Sequence, residues 1–226
     1  MSKVVKKVLL VLMALMLAIP VLPTVEAQAS TKKPAFPSKI TMAHYKKGAW
    51  NGESLNRSFM RVGNDKTGRV DISKVKSSNP KVLRAVQGAD PGYIVLETKK
   101  AGTSKVTFEA KVGKKKYKYT STVKVVKYEN PLKTFKVGSK NYLSKLKSTS
   151  VPRMVGAPVK GKLNIAAKKG WKITSMEVYE SHTGKRRKIK NKANINLEGT
   201  GGVSHLSVTV KNSKTGMVQY LLISRG

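Results

Sequence analysis

Between residues 105 and 125 apolar and polar side chains take alternate places. Val106, Phe108, Ala110 and Val112 are interleaved with Lys105, Thr107, Glu109 and Lys111. Successive side chains of a strand point to opposite faces, so this period predicts a strand with one buried and one wet face. Tyr117, Tyr119, Val123 and Val125, set among Lys118, Thr120, Thr122 and Lys124, predict its partner. Gly113-Lys114-Lys115-Lys116 then serves as a short hairpin loop. Leu206, Val208 and Val210 repeat the pattern, and Val218, Tyr220 and Leu222 answer them as the apolar positions across Asn212–Gly216.

Turn clusters punctuate the rest: Gly63-Asn64-Asp65, Ser77-Ser78-Asn79-Pro80, Ala89-Asp90-Pro91-Gly92, Ser181-His182-Thr183-Gly184 and Glu198–Gly202. No long stretch has helical spacing. Short strands between Gly, Pro and Asn turns predict an all-β protein built of antiparallel sandwiches. A proline at Tyr128-Glu129-Asn130-Pro131 interrupts pairing near residue 130. The expectation is two consecutive immunoglobulin-like β-sandwich domains, 30–129 and 130–226. They follow a signal peptide over 1–29: Lys3, Lys6 and Lys7, an apolar run from Val8 to Ile19, and Ala27-Gln28-Ala29 as the cleavage site. The apolar run falls short of the roughly 20 residues that span a bilayer. The chain is therefore read as secreted, with noncovalent association to the cell envelope as its means of staying there.

Charge sharpens this picture. The chain has 46 Lys and Arg against 11 Asp and Glu, a net of +35, divided almost evenly between the two halves. Such a field favours polyanions. The expected partner is an anionic cell-wall polymer or acidic polysaccharide, with nucleic acid or anionic lipid attracted only by nonspecific charge. Lysines on solvent faces also protect sheet edges from pairing, but the charge exceeds what solubility needs. The absence of cysteine removes disulfides and thiolate chemistry, so each domain depends on an apolar core.

Two short segments carry a family resemblance. Val75-Lys76-Ser77-Ser78-Asn79-Pro80-Lys81-Val82 reads as strand, turn, strand, and Lys99-Lys100-Ala101-Gly102-Thr103-Ser104-Lys105-Val106-Thr107 follows about twenty residues on. This pairing resembles the bacterial Ig-like group 2 domains of intimin-type and invasin-type surface adhesins, over roughly residues 38–127. The resemblance implies cell-surface interaction, in domains that often serve only as spacers. The stretch from Lys46 to Gly68 departs from it, being longer and more polar, and an insertion or an extra hairpin is expected there. Tyr93-Ile94-Val95-Leu96-Glu97-Thr98 looks faintly like the glutamate strand of pilin domains that form isopeptide cross-links. Lys99 and Lys100 stand where that pattern needs Ala-Pro, so Glu97 is read as a surface or edge carboxylate paired with lysine.

Candidate chemistry is sparse. His44, His182 and His205 sit in no triad or zinc spacing, and the carboxylates form no calcium loop. The chain is read as non-enzymatic, without metal or cofactor; an exported hydrolase with scattered catalytic residues is the remote alternative, and a spacer or assembly subunit the nearer one. Candidate polyanion-binding residues are Lys185, Arg186, Arg187, Lys188, Lys190 and Lys192, with Lys114, Lys115 and Lys116. Arginine would grip an anion with its two-pronged fork and lysine as a point charge. Trp50 and Trp171 are candidate stacking residues, Trp171 leaning toward the edge of a core because a strand follows it.

Overall fold

The computed structural model describes residues 33–46, 49–50, 53–151, 159–197 and 202–225. The signal-peptide stretch 1–29 lies outside the described residues.

In the first half, β1 (Lys39–His44), β5 (Asp71–Ser77), β8 (Gly102–Val112) and β9 (Lys115–Lys127) form one sheet, in the order β1-β9-β8-β5. β4 (Arg57–Arg61), β6 (Leu83–Gln87) and β7 (Tyr93–Thr98) form the other, in the order β4-β7-β6. With β1 and β4 to β9 named A to G in chain order, B, E and D form one sheet and C, F and G the other, as in immunoglobulin domains, while A lies with C, F and G. β1 adds to the outer edge of β9 in parallel, Lys39 opposite Thr122 and His44 opposite Lys127. Val106, Phe108, Ala110 and Val112 face inward with Tyr119, Val123 and Val125, against Leu83, Ile94 and Leu96 of the second sheet. The predicted alternation is therefore the inside and outside of the sandwich. In the 46–68 stretch, β2 (Ala49–Trp50) and β3 (Glu53–Ser54) pair as a short extra ladder before β4.

The second half begins with β10 (Leu132–Val137) and β11 (Lys140–Asn141), followed by a 3-10 turn at Leu143–Leu146. β12 (Val159–Ala167), β13 (Trp171–Glu180), β14 (Lys185–Lys188), β15 (Asn194–Leu197), β16 (Ser204–Asn212) and β17 (Val218–Arg225) follow. The sheets run β11-β10-β12-β15 and β14-β13-β16-β17. This is a second immunoglobulin-like sandwich whose fourth strand pairs with C rather than E. Its core runs from Leu132 to Ile223, and no residue of it belongs to the first core. Gly138 and Gly161 let two backbones meet: a Cβ on Gly161, at φ +127°, would lie 2.8 Å from the Gly138 Cα.

Two sequence expectations need correction. Val218, Tyr220 and Leu222 do not face the core. Leu221 stands opposite Val208 and Ile223 opposite Leu206, all buried, while Val218 and Tyr220 are exposed. The run 220–223 is apolar at every position, so alternation cannot choose its face. The loop chooses it: Asn212 Oδ1 accepts from the backbone N–H of Lys214 and Thr215, pairing Lys211 with Val218. The hairpin link at 113–116 is also shorter than expected. Val112 pairs with Lys115, which leaves only Gly113 and Lys114 in the turn and puts Lys115 and Lys116 on β9.

The first half meets the second around Tyr45 and Tyr128. The Tyr45 and Tyr128 rings stack with centroids 4.6 Å apart. Tyr128 donates to the Leu146 carbonyl at 3.0 Å. Burial pushes both phenols above their ordinary range, with a hydrogen bond to Ser150 working the other way at Tyr45 and the nearby Tyr45 adding to the rise at Tyr128.

Candidate functional site

The outward face of the β1-β9-β8-β5 sheet is where unpaired positive charge collects. Because β8 buries every second residue, Lys105, Thr107, Glu109 and Lys111 must point to solvent. The register sets Lys105 opposite Thr122, Thr107 opposite Thr120, Glu109 opposite Lys118 and Lys111 opposite Lys116. Lys124 stands opposite Thr103. β1 extends the rows with Lys39 beside Thr122 and Thr41 beside Lys124, and β5 with Lys76 beside Thr107. Neighbouring strands lie about 4.8 Å apart, so the result is a close grid of ammonium and hydroxyl groups. The carboxylates on it already have partners: Glu109 accepts from Lys74 at 3.1 Å and Asp71 from Arg69 at 3.0 Å. Lys39, Lys105, Lys111, Lys116, Lys118 and Lys124 take part in none of the ion pairs among the described residues.

The second sandwich has a similar surface on its other sheet. Lys160 stands opposite Asn196, Lys162 opposite Asn194 and Lys136 opposite Asn164. Here amides take the place of the threonine hydroxyls. Lys192, held at φ +71°, reaches Asn164 Oδ1 at 3.2 Å, which attaches one of the sequence candidates to this surface.

The densest basic run is placed differently from expectation. Lys185, Arg186, Arg187 and Lys188 form β14, exposed throughout and paired only with β13. A strand sends alternate residues to opposite sides, so the four cations do not share one face. Their partners across the ladder include Glu177 and Glu180: Lys188 lies opposite Glu177, Lys185 opposite Glu180, and Arg187 Nε bonds Glu180 at 3.2 Å. Arg186 lies over the Tyr179 ring at 5.0 Å. Lys190 is exposed beyond the strand end. Beside Arg186, the His205 ring lies 5.1 Å from Tyr179 at a tilt of 35°, and burial first, then the Arg186 charge, holds its imidazole below the usual histidine range. Part of the run's charge is thus answered internally.

Lys114, Lys115 and Lys116 are exposed but diverge, since Lys114 is in the turn and only Lys116 joins the outward grid. Trp171 is half-buried against the second core at the start of β13. Trp50 belongs to β2, and its side chain lies outside the described residues. Glu97 is not an edge residue: it sits on central strand β7, paired with Lys99 and with Arg84 at 3.5 Å. Lys99 hydrogen bonding holds its carboxyl below the usual range, the opposite of the neutral acid that isopeptide chemistry needs. His44 bonds Thr98 at 3.2 Å, His182 is exposed in the 181–184 turn, and His205 lies on β16.

Sequence reasoning missed the Lys-Asn surface and the cross-strand grid. The alternation Lys160-x-Lys162-x-Asn164 around Leu163 and Ile165 was there to be read. The lateral alignment of Lys111 with Lys116 depends on hairpin register, which a two-residue turn sets.

No protein-family model and no curated protein matches this chain. Among solved structures, the fibronectin(III)-like modules of Clostridium thermocellum CbhA are 13% identical, with 85% of this chain and 90% of that one covered and a TM-score of 0.29. An endo-fucoidan hydrolase of glycoside hydrolase family 107 is 12% identical over 85% of this chain and 28% of that one, at a TM-score of 0.28. Surface layer protein SbsC, domains 4–9, is 13% identical over 85% of this chain and 30% of that one, at 0.27. This chain therefore spans under a third of the hydrolase and of the surface-layer fragment, and TM-scores at this level carry no argument about activity or partners.

Proposed function

We propose that this chain is an exported, non-catalytic binding module that attaches to an anionic polymer of the cell envelope through the lysine-threonine face of its first sandwich. The observation that carries this reading is the direct cross-strand placement of Lys111 opposite Lys116 among further lysines with no ion-pair partner among the described residues. Like charges opposite one another destabilise a sheet by a few tenths to about 1 kcal/mol, and a bound polyanion reverses the sign of that term. The Lys-Asn surface of the second sandwich offers a second contact region, and β14 a weaker one.

The resemblance to bacterial Ig-like group 2 domains supports a cell-surface setting. Its two segments pack on each other: Ser77 Oγ donates to the Leu83 carbonyl at 2.6 Å and lies 2.8 Å from Ser104 Oγ. Gly102, at φ +152°, leaves room for Val82, whose Cγ2 would lie 2.7 Å from an added Cβ. The turn and the glycine are thus one structural unit.

The test is binding of the full chain to polyphosphate or an acidic polysaccharide at rising salt. Screening and counterion release predict a steep loss of affinity over a few hundred millimolar. Changing Lys105, Lys118 and Lys124 to glutamate should lower affinity well over tenfold at low salt and flatten the salt dependence. Affinity that ignores salt, or survives this triple change, removes the proposal.

A further inference from the structure

We propose that the cleft between the two sandwiches holds a sugar ring of the bound polymer, which makes the ligand an acidic polysaccharide; this rests on the polymer-binding reading above. The cleft has a volume of about 970 Å³ and lies between β1 and β4 on one side and the β16–β17 loop with the start of β17 on the other. Each wall carries one exposed aromatic ring: Phe59, 63% exposed, on the first sandwich and Tyr220, 67% exposed, on the second. Exposed rings on both walls of one cleft are where a ligand groove offers apolar surface. Aromatic faces pack against the apolar face of a sugar ring while the ring hydroxyls seek polar partners. One aromatic per wall suits a single ring better than a row of stacked bases.

The polar groups fit as well. Ser58, Thr41 and Thr215 line the cleft with hydroxyls that both donate and accept. Among the described residues no carboxylate lines the cleft, whereas Lys39 and Arg57 do, with the Arg57 guanidinium 5.5 Å from the Phe59 ring centroid. Charge therefore selects an anionic sugar.

The cleft shares two residues with the lysine-threonine face. Lys39 and Thr41 belong to both surfaces: they end the cross-strand rows of β8 and β9, and they line the cleft. A chain leaving the rows at Lys39 and Thr41 rounds the β1 edge to reach Phe59, whose side chain points out of the opposite sheet.

The experiment measures binding of the full chain to polygalacturonate, to polyphosphate of matched charge and to a single-stranded oligonucleotide, with and without F59A/Y220A. Both side chains are exposed, so the fold should be kept, and circular dichroism checks that. The expected result is at least about tenfold tighter binding to polygalacturonate than to polyphosphate. The double change should remove about tenfold of affinity for polygalacturonate, the scale of one aromatic stacking contact, and leave polyphosphate within twofold. Equal effects on both polymers would overturn the cleft proposal while leaving the lysine face in place. Tighter binding of the oligonucleotide, lost on F59A/Y220A, would overturn it in favour of bases. Binding to none of the three would overturn both proposals.

Discussion

The two sandwiches share a chain order and differ in where the strand between C and E goes. In the first, β6 joins β7 and contributes Leu83 and Ala85 to the buried face. In the second, β14 joins β13 and buries none of its residues. Leu-Arg-Ala-Val-Gln has an apolar side that can close a core, whereas Lys-Arg-Arg-Lys has none, so it remains an edge strand outside the core. A run of cations in a sandwich thus marks a strand excluded from the core before it marks a binding site. The sites proposed for binding lie instead on sheets whose inward residues fix where the lysines point.

Several perturbations would break or sharpen this contrast. Leu83→Ala empties a fully buried position and should destabilise the first sandwich by about 3 kcal/mol, while Arg186→Ala, which loses an exposed contact with the Tyr179 ring, should change the second by no more than about 1 kcal/mol; calorimetry resolving two transitions reads both. Gly161→Ala should cost the second sandwich about 2–3 kcal/mol, because the contact it creates is with backbone and φ is +127°. Gly102→Ala should cost the first less, since the Val82 side chain it meets can shift. If Gly102→Ala proved the more damaging, packing around the Ser77–Pro80 turn would be more rigid than this account allows.

Smaller effects concern charge. Arg186→Gln should raise the pKa of His205, the burial contribution remaining, as followed by its ring signals in an NMR titration. In the native chain that pKa lies below the unfolded value, so the unfolded state binds the proton more readily. The His205 contribution to stability is present above the unfolded value near 6.5 and falls as pH drops through it toward the folded value. Arg186→Gln should shrink that loss. Glu97 behaves in the same sense at lower pH: its contribution is held above the ordinary carboxyl value of 4.5 and is lost as pH falls through the window below it.

Much of this architecture was legible in the sequence because alternation at 106–112 and 206–210 has only one way to bury itself. The last strand was not, since Tyr220-Leu221-Leu222-Ile223 offers apolar residues to both faces and the Asn212 loop decides between them. The lysine grid was half legible: alternation shows that Lys105, Lys111, Lys118 and Lys124 face outward, but their neighbours across the sheet depend on the Gly113-Lys114 turn and on the parallel addition of β1. The basic run at 185–188 was conspicuous as sequence, yet Glu177 and Glu180 reach it only through the β13–β14 pairing. The cleft was illegible, because its walls come from positions more than 150 residues apart.

The central claim is that a polyanion is read by the outward face of the first sandwich rather than by the densest basic run. Titrating isotopically labelled chain with polygalacturonate and following amide and side-chain NMR signals tests it most directly. The account predicts the largest shifts at Lys105, Thr107, Lys118, Thr120, Thr122 and Lys124, continuing into Lys39 and Thr41, with β14 shifting little. Shifts concentrated at Lys185–Lys188, with the β8–β9 face silent, would contradict it.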